Sequence, residues 1–375
     1  MTGAGASSVS SEAPSALDQV RAWMESRAVS AVFISNPVSV AYLTGFSTEP
    51  HERLLALLLS RSRSVLVVPG LEEESASAAA RGVTVRAWRD GTDPWAEVAA
   101  VLGASGSGGL AVEKGDLRLE AWERLQAISG AGAPVDVGRQ IRAMRARKRP
   151  DELARLKEAG RITDAMAERA IGAVRPGLRE LELATEIALA VAEAGAQLSF
   201  ETLVQSGPNS ALPHLRPSVR EFQPGELLLI DCGGAWEGYK ADITRTIAVG
   251  GADRRQREVH DTVLHAHDAA VAAVRAGVRA GDVDRAAREV IEAAGYGEHF
   301  IHRTGHGLGL EAHEDPSLDP GSEVVLESGM VVTIEPGVYL PGWGGVRIED
   351  DVVVEERGCR LLTNSWRGLE PPGAA

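Results

Sequence analysis

Four acidic residues stand where acids are least expected. Asp231 closes the apolar run LLLI and Glu335 closes VVTI, while Asp242 and Glu349 open the strand-like segments that follow. Charged side chains are rarely buried without partners, so acids at equivalent ends of core strands call for a cation. For any one of them a strand-end cap, or a salt bridge to Arg245 or Arg347, would be the ordinary account. Four together carry about −4 and cannot all stay ionised unpaired. Two divalent metal ions would cancel that charge. The stretch His302-Arg-Thr-Gly-His306-Gly-Leu-Gly-Leu-Glu-Ala-His313-Glu adds three of the nine histidines, in a Gly-rich turn that permits close backbone approach. His260, His265 and His267 fall on an expected helix over 258–275 without a shared i, i+4 face, and read as structural.

The elements that must position these groups form a duplication. Arg175-Pro-Gly-Leu-Arg179 and Arg275-Ala-Gly-Val-Arg279 each precede an amphipathic helical stretch that ends at Gly195 or Gly295. QPGELLLIDCG (223–233) aligns with ESGMVVTIEPG (327–337), so that Gly225 meets Gly329 and Asp231 meets Glu335. Each half offers a turn, a strand ending in a carboxylate, a loop, and a second strand with another carboxylate. An antiparallel hairpin would bring the paired acids together.

Ahead of this lies a different pattern. Strands are expected at 31–35, 54–59, 64–69, 83–88 and 110–113, alternating with helical stretches at 13–26 and 120–129, which indicates an α/β layer domain. Residues 1–14 read as a disordered tail without the features of a signal peptide. GASGSGG (103–109) reads as a loop, since no phosphate-binding Lys-Ser/Thr follows it. The basic run RQIRAMRARKR (139–149) reads as an interdomain helix and linker, with Pro150 opening the next helix. The division expected is a tail at 1–14, an α/β domain at 15–138, a linker at 139–150 and a catalytic domain at 151–375.

With 39 Lys+Arg against 53 Asp+Glu, the chain of 375 residues carries a formal charge of −14. That balance disfavours nucleic acid and anionic membranes as partners. The longest apolar run, LLALLLS, is far short of a membrane span, and two cysteines build neither a disulfide framework nor a zinc site. A cytoplasmic protein is expected.

IDCGGAWEGYKADITRT, HRTGHGLGLEAHE, TIEPGVYL and GVRIEDDVVV follow one another in this chain. In these motifs the sequence resembles the pita-bread metallopeptidases, in their Xaa-Pro aminopeptidase and Xaa-Pro dipeptidase (prolidase) branch. The resemblance covers 139 to about 363 well and the N-terminal part more loosely. It implies an α/β (α+β) architecture: a creatinase-like N-terminal domain followed by a pita-bread domain with pseudo-twofold duplication. It places the metal ligands at Asp231, Asp242, His306, Glu335 and Glu349, substrate-side histidines at His214, His302 and His313, and an arginine at Arg347. Ala312 departs from the usual Val or Ile, a change of packing only. Creatinase-like members lack the metal ligands, and methionine aminopeptidases generally lack the N-terminal domain.

The chemistry implied is hydrolysis of an Xaa-Pro bond by two divalent ions that activate a water and polarise the carbonyl. Oxygen-rich ligation with one imidazole suits Mn²⁺, with Co²⁺ or Zn²⁺ as alternatives. Glu335 would ligate metal and shuttle a proton to the leaving nitrogen. His313 with His302 would stabilise the oxyanion, His214 would lie on the proline side, and Arg347 would anchor the site or a substrate carboxylate. The expected activity is that of an aminopeptidase on proline-containing peptides, with a dipeptidase as the alternative and a non-catalytic binding relative behind both. A homodimer through or near the N-terminal domain is expected, and residues 44–53, with His51 and Arg53, are candidates for a lid, or else a plain connecting loop.

Overall fold

The computed structural model of the chain describes residues 14–103 and 109–370 and divides between Met144 and Arg145 into two compact units. All of the expected tail except Pro14, and residues 104–108 of the Gly-rich loop, lie outside the described residues.

In the first unit a mixed sheet runs in the order β4-β3-β2-β1-β5-β6. Its strands are β1 (Val29–Ile34), β2 (Ala56–Ser60), β3 (Ser64–Pro69), β4 (Thr84–Trp88), β5 (Gly109–Val112) and β6 (Val135–Asp136). The helices are α1 (Ala16–Ser26), α2 (Pro37–Thr44), α3 (Glu73–Ala79), α4 (Trp95–Leu102), α5 (Leu119–Ser129) and α6 (Gly138–Ala146), the last crossing the division. Val32, Ile34, Leu57 and Leu66 pack into one cluster with α1 and α2, while Phe33, Leu58 and Val67 pack into another with α4 and α5. A sheet buried on both faces needs unbroken apolar strands, which is why LLALLLS shows no alternation. The five expected strands are all present, with ends displaced by at most two residues. The segment 44–53 joins α2 to β2, and Arg53 is paired with Asp90 and Glu52 inside this unit.

The second unit shows the expected duplication. Its first half holds α7 (Pro150–Ala173), α8 (Glu180–Glu193) and the strands β7 (Gln197–Leu198), β8 (Leu203–Ser206), β9 (Leu227–Cys232), β10 (Gly234–Trp236), β11 (Tyr239–Lys240) and β12 (Ile243–Ala248). Its second half holds α9 (Arg254–Ala273), α10 (Ala280–Ala293), β13 (His306–Gly307), β14 (Glu314–Ser317), β15 (Val331–Ile334), β16 (Gly337–Leu340), β17 (Gly344–Arg347), β18 (Asp350–Glu355) and β19 (Gly358–Leu361). The helices α8 and α10 have 14 residues each. Gly225 and Gly329, matched in the sequence, both take φ in the left-handed region, +81° and +89°, where a side chain would be strained.

Strand alternation decides where the acids point. On β9, Leu228, Ile230 and Cys232 pack against α7 and α8 with Ile243 and Ile247 of β12. Asp231, Asp242 and Thr244 therefore face the other way. On β15 and β18, Val332, Ile334, Val352 and Val354 join the core formed with α9 and α10, which turns Thr333, Glu335, Glu349 and Asp351 away from it. The two halves meet on those polar faces: the Glu349 N–H donates to the Thr244 carbonyl (3.1 Å). Arg245, 2% exposed, stitches the seam by donating to the carbonyls of Thr244, Glu349, Ser365 and Trp366 and to Asp350.

The chain after β19 packs tightly on α7. A Cβ on Gly160 would lie 2.3 Å from the Leu362 carbonyl oxygen. Gly160→Ala should thus destabilise by about 1–3 kcal/mol through overpacking, although alanine is the better helix former by about 1 kcal/mol. Urea unfolding of the metal-free protein checks this, and a gain in stability would contradict it.

Candidate metal centre

Between the two halves lies a cavity of about 590 Å³, lined by all nine residues singled out in the sequence: His214, Asp231, Asp242, His302, His306, His313, Glu335, Arg347 and Glu349. Phe200, Leu203, Pro213, Ile301 and Ala312 supply an apolar wall, and Arg303 joins them. One ligand atom each from Asp242, His306 and Glu349 lies within 4.8 Å of the others. Glu335 Oε1 stands 3.3 Å from His306 Nε2. Asp231 Oδ2 accepts from Arg347, while Asp231 Oδ1 and Asp242 Oδ1 are buried with no hydrogen-bond partner.

These environments work against ionisation. Burial, then the charges of Glu349 and Asp231, pushes Asp242 well above the usual carboxylate range. Burial, then Glu335 and Asp231, does the same to Glu349. Glu335 is raised to about 7 by burial, against the pull of Arg347. Burial also raises Asp231, again opposed by Arg347. His306 is pushed down to about 3, first by burial and then by His313, and so is neutral. Carboxyls that repel one another, two orphaned buried oxygens and an uncharged imidazole form a donor set that fits divalent cations.

The surrounding bonds orient the donors. The His306 N–H donates to Thr333 Oγ1 (3.0 Å), and Nδ1 lies 3.1 Å from the Gly307 carbonyl, which leaves Nε2 as the free lone pair. Thr244 Oγ1 donates to Glu349 Oε2 and accepts from Arg347 Nε (2.9 Å). The Asp242 N–H donates to Asp351 Oδ2 (2.9 Å).

Two further acids, one on each duplicated helix, hold the histidine-bearing loops. Glu180 of α8 accepts from Ser206, Asn209 and Ser218, framing the segment that carries His214. Asp284 of α10 accepts from the Thr304 N–H and Oγ1. Its partner Arg288 donates to the carbonyls of Phe300 and His302.

The bonds of two expected site residues bear on their roles, against an oxyanion role for His302 and towards the first of the two alternatives for Arg347. His302 Nδ1 sits 2.7 Å from the Arg303 carbonyl and Nε2 sits 2.9 Å from Tyr339 Oη. Arg347 Nη1 donates to the same Oη (3.0 Å), so the tyrosine proton points to His302 Nε2, and the ring has no N–H left for an oxyanion. Arg347, 4% exposed, is spent on Asp231, Thr244 and Tyr339, and anchors the site rather than a substrate. His313 packs edge-on to His306, ring centroids 4.1 Å apart, and makes no hydrogen bond among the described residues. The sequence reading left out Arg303, Tyr339, Thr244 and Asp351. For Asp351 the signal was present, in the run of three acids in RIEDDVVV. Of the helical histidines set aside as structural, His267 is buried against Asp350 (3.0 Å).

A carboxyl whose pKa is raised in the folded protein keeps a proton that the unfolded chain has released. The metal-free protein therefore loses stability as pH climbs from the ordinary carboxylate range through about 7, the value for Glu335. Bound metal displaces those protons. The rise in melting temperature on adding Mn²⁺ should grow between about pH 5 and about pH 8, and Asp242→Ala should abolish it. A pH-independent rise in scanning fluorimetry would contradict this electrostatic account.

Comparison with known proteins follows the same lines. Residues 154–356 match the metallopeptidase family M24, and residues 17–147 match the creatinase/prolidase N-terminal domain. The chain is 38% identical to the Xaa-Pro dipeptidase of Lactobacillus helveticus over 360 residues, covering 94% of this chain and 98% of that one. Among solved structures it is similar to the prolidase from Pyrococcus furiosus, with TM-score 0.85 and 36% identity over 92% of this chain and 100% of that one. It is also similar to the X-Pro aminopeptidase from Thermotoga maritima MSB8, with TM-score 0.82 and 31% identity over 91% and 97%. The chain belongs to metallopeptidase family M24, and carries the family's pita-bread domain behind a creatinase/prolidase N-terminal domain.

Proposed function

We propose that the protein is a metal-dependent Xaa-Pro dipeptidase. The aminopeptidase activity expected from the sequence gives way to its alternative. The stretch GYKADITRT leads into β12 and the Asp242 ligand position and carries no information on substrate length. The relative from L. helveticus, at 38% identity, is named a dipeptidase, and the X-Pro aminopeptidase lies further off at 31%.

Arg303 is the observation that carries the reading. It lines the cavity half-buried, its Nη1 donates to Ser317 Oγ (2.8 Å), and no carboxylate among the described residues lies within 4 Å of it. A dipeptide brings the carboxylate that such a cation lacks, in a charge-assisted pair. The cavity of about 590 Å³ is of a size for a small ligand, and the wall of Phe200, Leu203, Pro213 and Ala312 suits a proline ring or an apolar Xaa side chain.

Asp231, Asp242, His306, Glu335 and Glu349 would hold two divalent ions, Mn²⁺ before Co²⁺ or Zn²⁺, which supply an activated water and a polarised scissile carbonyl. Glu335, its Oε1 3.3 Å from His306 Nε2 in the cavity wall, is placed to take a proton at one oxygen and return it to the proline nitrogen. His313, uncommitted in its hydrogen bonding, donates to the carbonyl oxygen as negative charge builds there. His214 lines the proline side. The proposal includes action in the cytoplasm and a homodimer joined through the N-terminal unit. Among the described residues no helix is long and apolar enough to cross a membrane.

With Mn²⁺, Ala-Pro should be cleaved at least about tenfold more efficiently than Ala-Pro-amide or Ala-Pro-Ala. Arg303→Gln should raise KM for Ala-Pro by about 10- to 100-fold and leave the amide unaffected, the loss expected for a hydrogen bond to a charged group. Equal cleavage of dipeptide and tripeptide would restore the aminopeptidase reading.

A further inference from the structure

The basic run 139–149 contributes two buried cations. The side chains of Arg145 and Lys148 are 6% and 1% exposed, and both converge on Glu314, itself 5% exposed. Arg145 Nη2 donates to Glu314 Oε1 (2.6 Å) and to Glu311 Oε2 (2.6 Å), and Lys148 Nζ lies 3.5 Å from Glu314 Oε2. Glu314 Oε1 also accepts the Glu311 backbone N–H (3.0 Å), which closes the turn on itself. Gly309 lies close against the clamp: a Cβ there would sit 3.0 Å from a Glu314 carboxyl oxygen and 3.1 Å from Lys148 Cε, so one of them would have to give by a few tenths of an ångström. The base of the cluster is tied down separately, by the Lys148 N–H donating to the Gly329 carbonyl (2.9 Å).

Burying three charges is a poor way to gain stability, since apolar side chains of the same volume usually serve as well or better. A clamp of fixed hydrogen-bond geometry does something apolar packing does not: it sets the direction of the residue beside it. That residue is His313, which makes no hydrogen bond of its own among the described residues and packs edge-on to His306.

We propose that Glu314, gripped by Arg145 and Lys148, is a positioning residue that locks the 309–314 turn and thereby holds His313 edge-on to His306 in the cavity. Two cations of the basic run, Arg145 and Lys148, are thus part of the active-site scaffold, tied through Glu314 to the histidine-bearing turn. The kinetic consequence rests on the dipeptidase reading; the placement of His313 does not.

The test is Glu314→Gln, measured in two ways. In steady-state cleavage of Ala-Pro with Mn²⁺, kcat should fall by about 10- to 100-fold, the scale of a small misplacement of a reacting group, with KM within about twofold. In a His313→Ala background the same substitution should cost nothing more, because the two residues act as one. In metal-stripped protein, the imidazole ¹⁵N signals of His313 and His306 should shift, while those of His260 and His267 on α9 stay in place. Unmoved His313 signals overturn the proposal whether or not any peptide is cleaved. So does a kcat loss that adds in full to that of His313→Ala, or a shift of the signals with kcat unchanged. If wild type fails to cleave Ala-Pro, the dipeptidase reading falls and the NMR measurement still decides the clamp. Lys148→Met carries the same measurements if Glu314→Gln does not fold.

Discussion

Four carboxyls crowded into the wall of one buried cavity are the constraint around which the second unit is built. Asp231, Asp242 and Glu349 are buried and Glu335 nearly so, at 15% of its side chain. Burial raises all four above the ordinary range, and repulsion from neighbouring carboxylates adds to it for Asp242, Glu335 and Glu349, an arrangement a fold would ordinarily avoid. One buried cation, Arg347, reaches into the group, and it engages Asp231 while leaving Asp242 Oδ1 bare. The protein thus supplies less positive charge than the site needs. What remains is the part a pair of divalent ions would fill, and part of the −14 is in this sense a tool rather than a solvated surface.

Everything else serves to hold that unfavourable arrangement still. Strand alternation sends apolar side chains to the helices and acids to the seam. Arg245 then closes the seam by donating to Asp350 and to four carbonyls, among them that of Glu349. Threonines answer the acids at close range: Thr244 for Glu349, and Thr333 for the His306 backbone. Each duplicated half lends its second helix to the loops, through Glu180 and Asp284. The pseudo-twofold is therefore more than a relic of repetition, because neither half alone assembles the set Asp242, His306 and Glu349.

Much of this was legible in the sequence, because the informative signals were local. An acid at the end of LLLI or VVTI contradicts its own apolar context, and that contradiction is visible without a structure. The duplication, the α/β character of the N-terminal unit and the order of the motifs came from patterns of the same kind. The roles of His302 and Arg347 depend on partners distant in the chain. Whether Arg347 is available to substrate turns on Asp231, 116 residues away, and on Tyr339. Whether His302 has a free N–H turns on that same tyrosine. Arg145 and Lys148 looked like a solvated linker because Glu314, some 166 residues on, could not be seen beneath them. Substrate length was the least legible property, since it depends on which cation is left without a partner, and spacing does not reveal that.

The central claim is that these acids are held protonated and ready for cations. Isothermal titration of metal-stripped protein with Mn²⁺ near pH 7.5, repeated in buffers of different ionisation enthalpy, tests it most directly. The account predicts two ions bound per chain with net release of protons, since the metals must displace protons from Asp242 and Glu349 and the remaining fraction from Glu335. Failure to bind, or binding with no proton released, would contradict it.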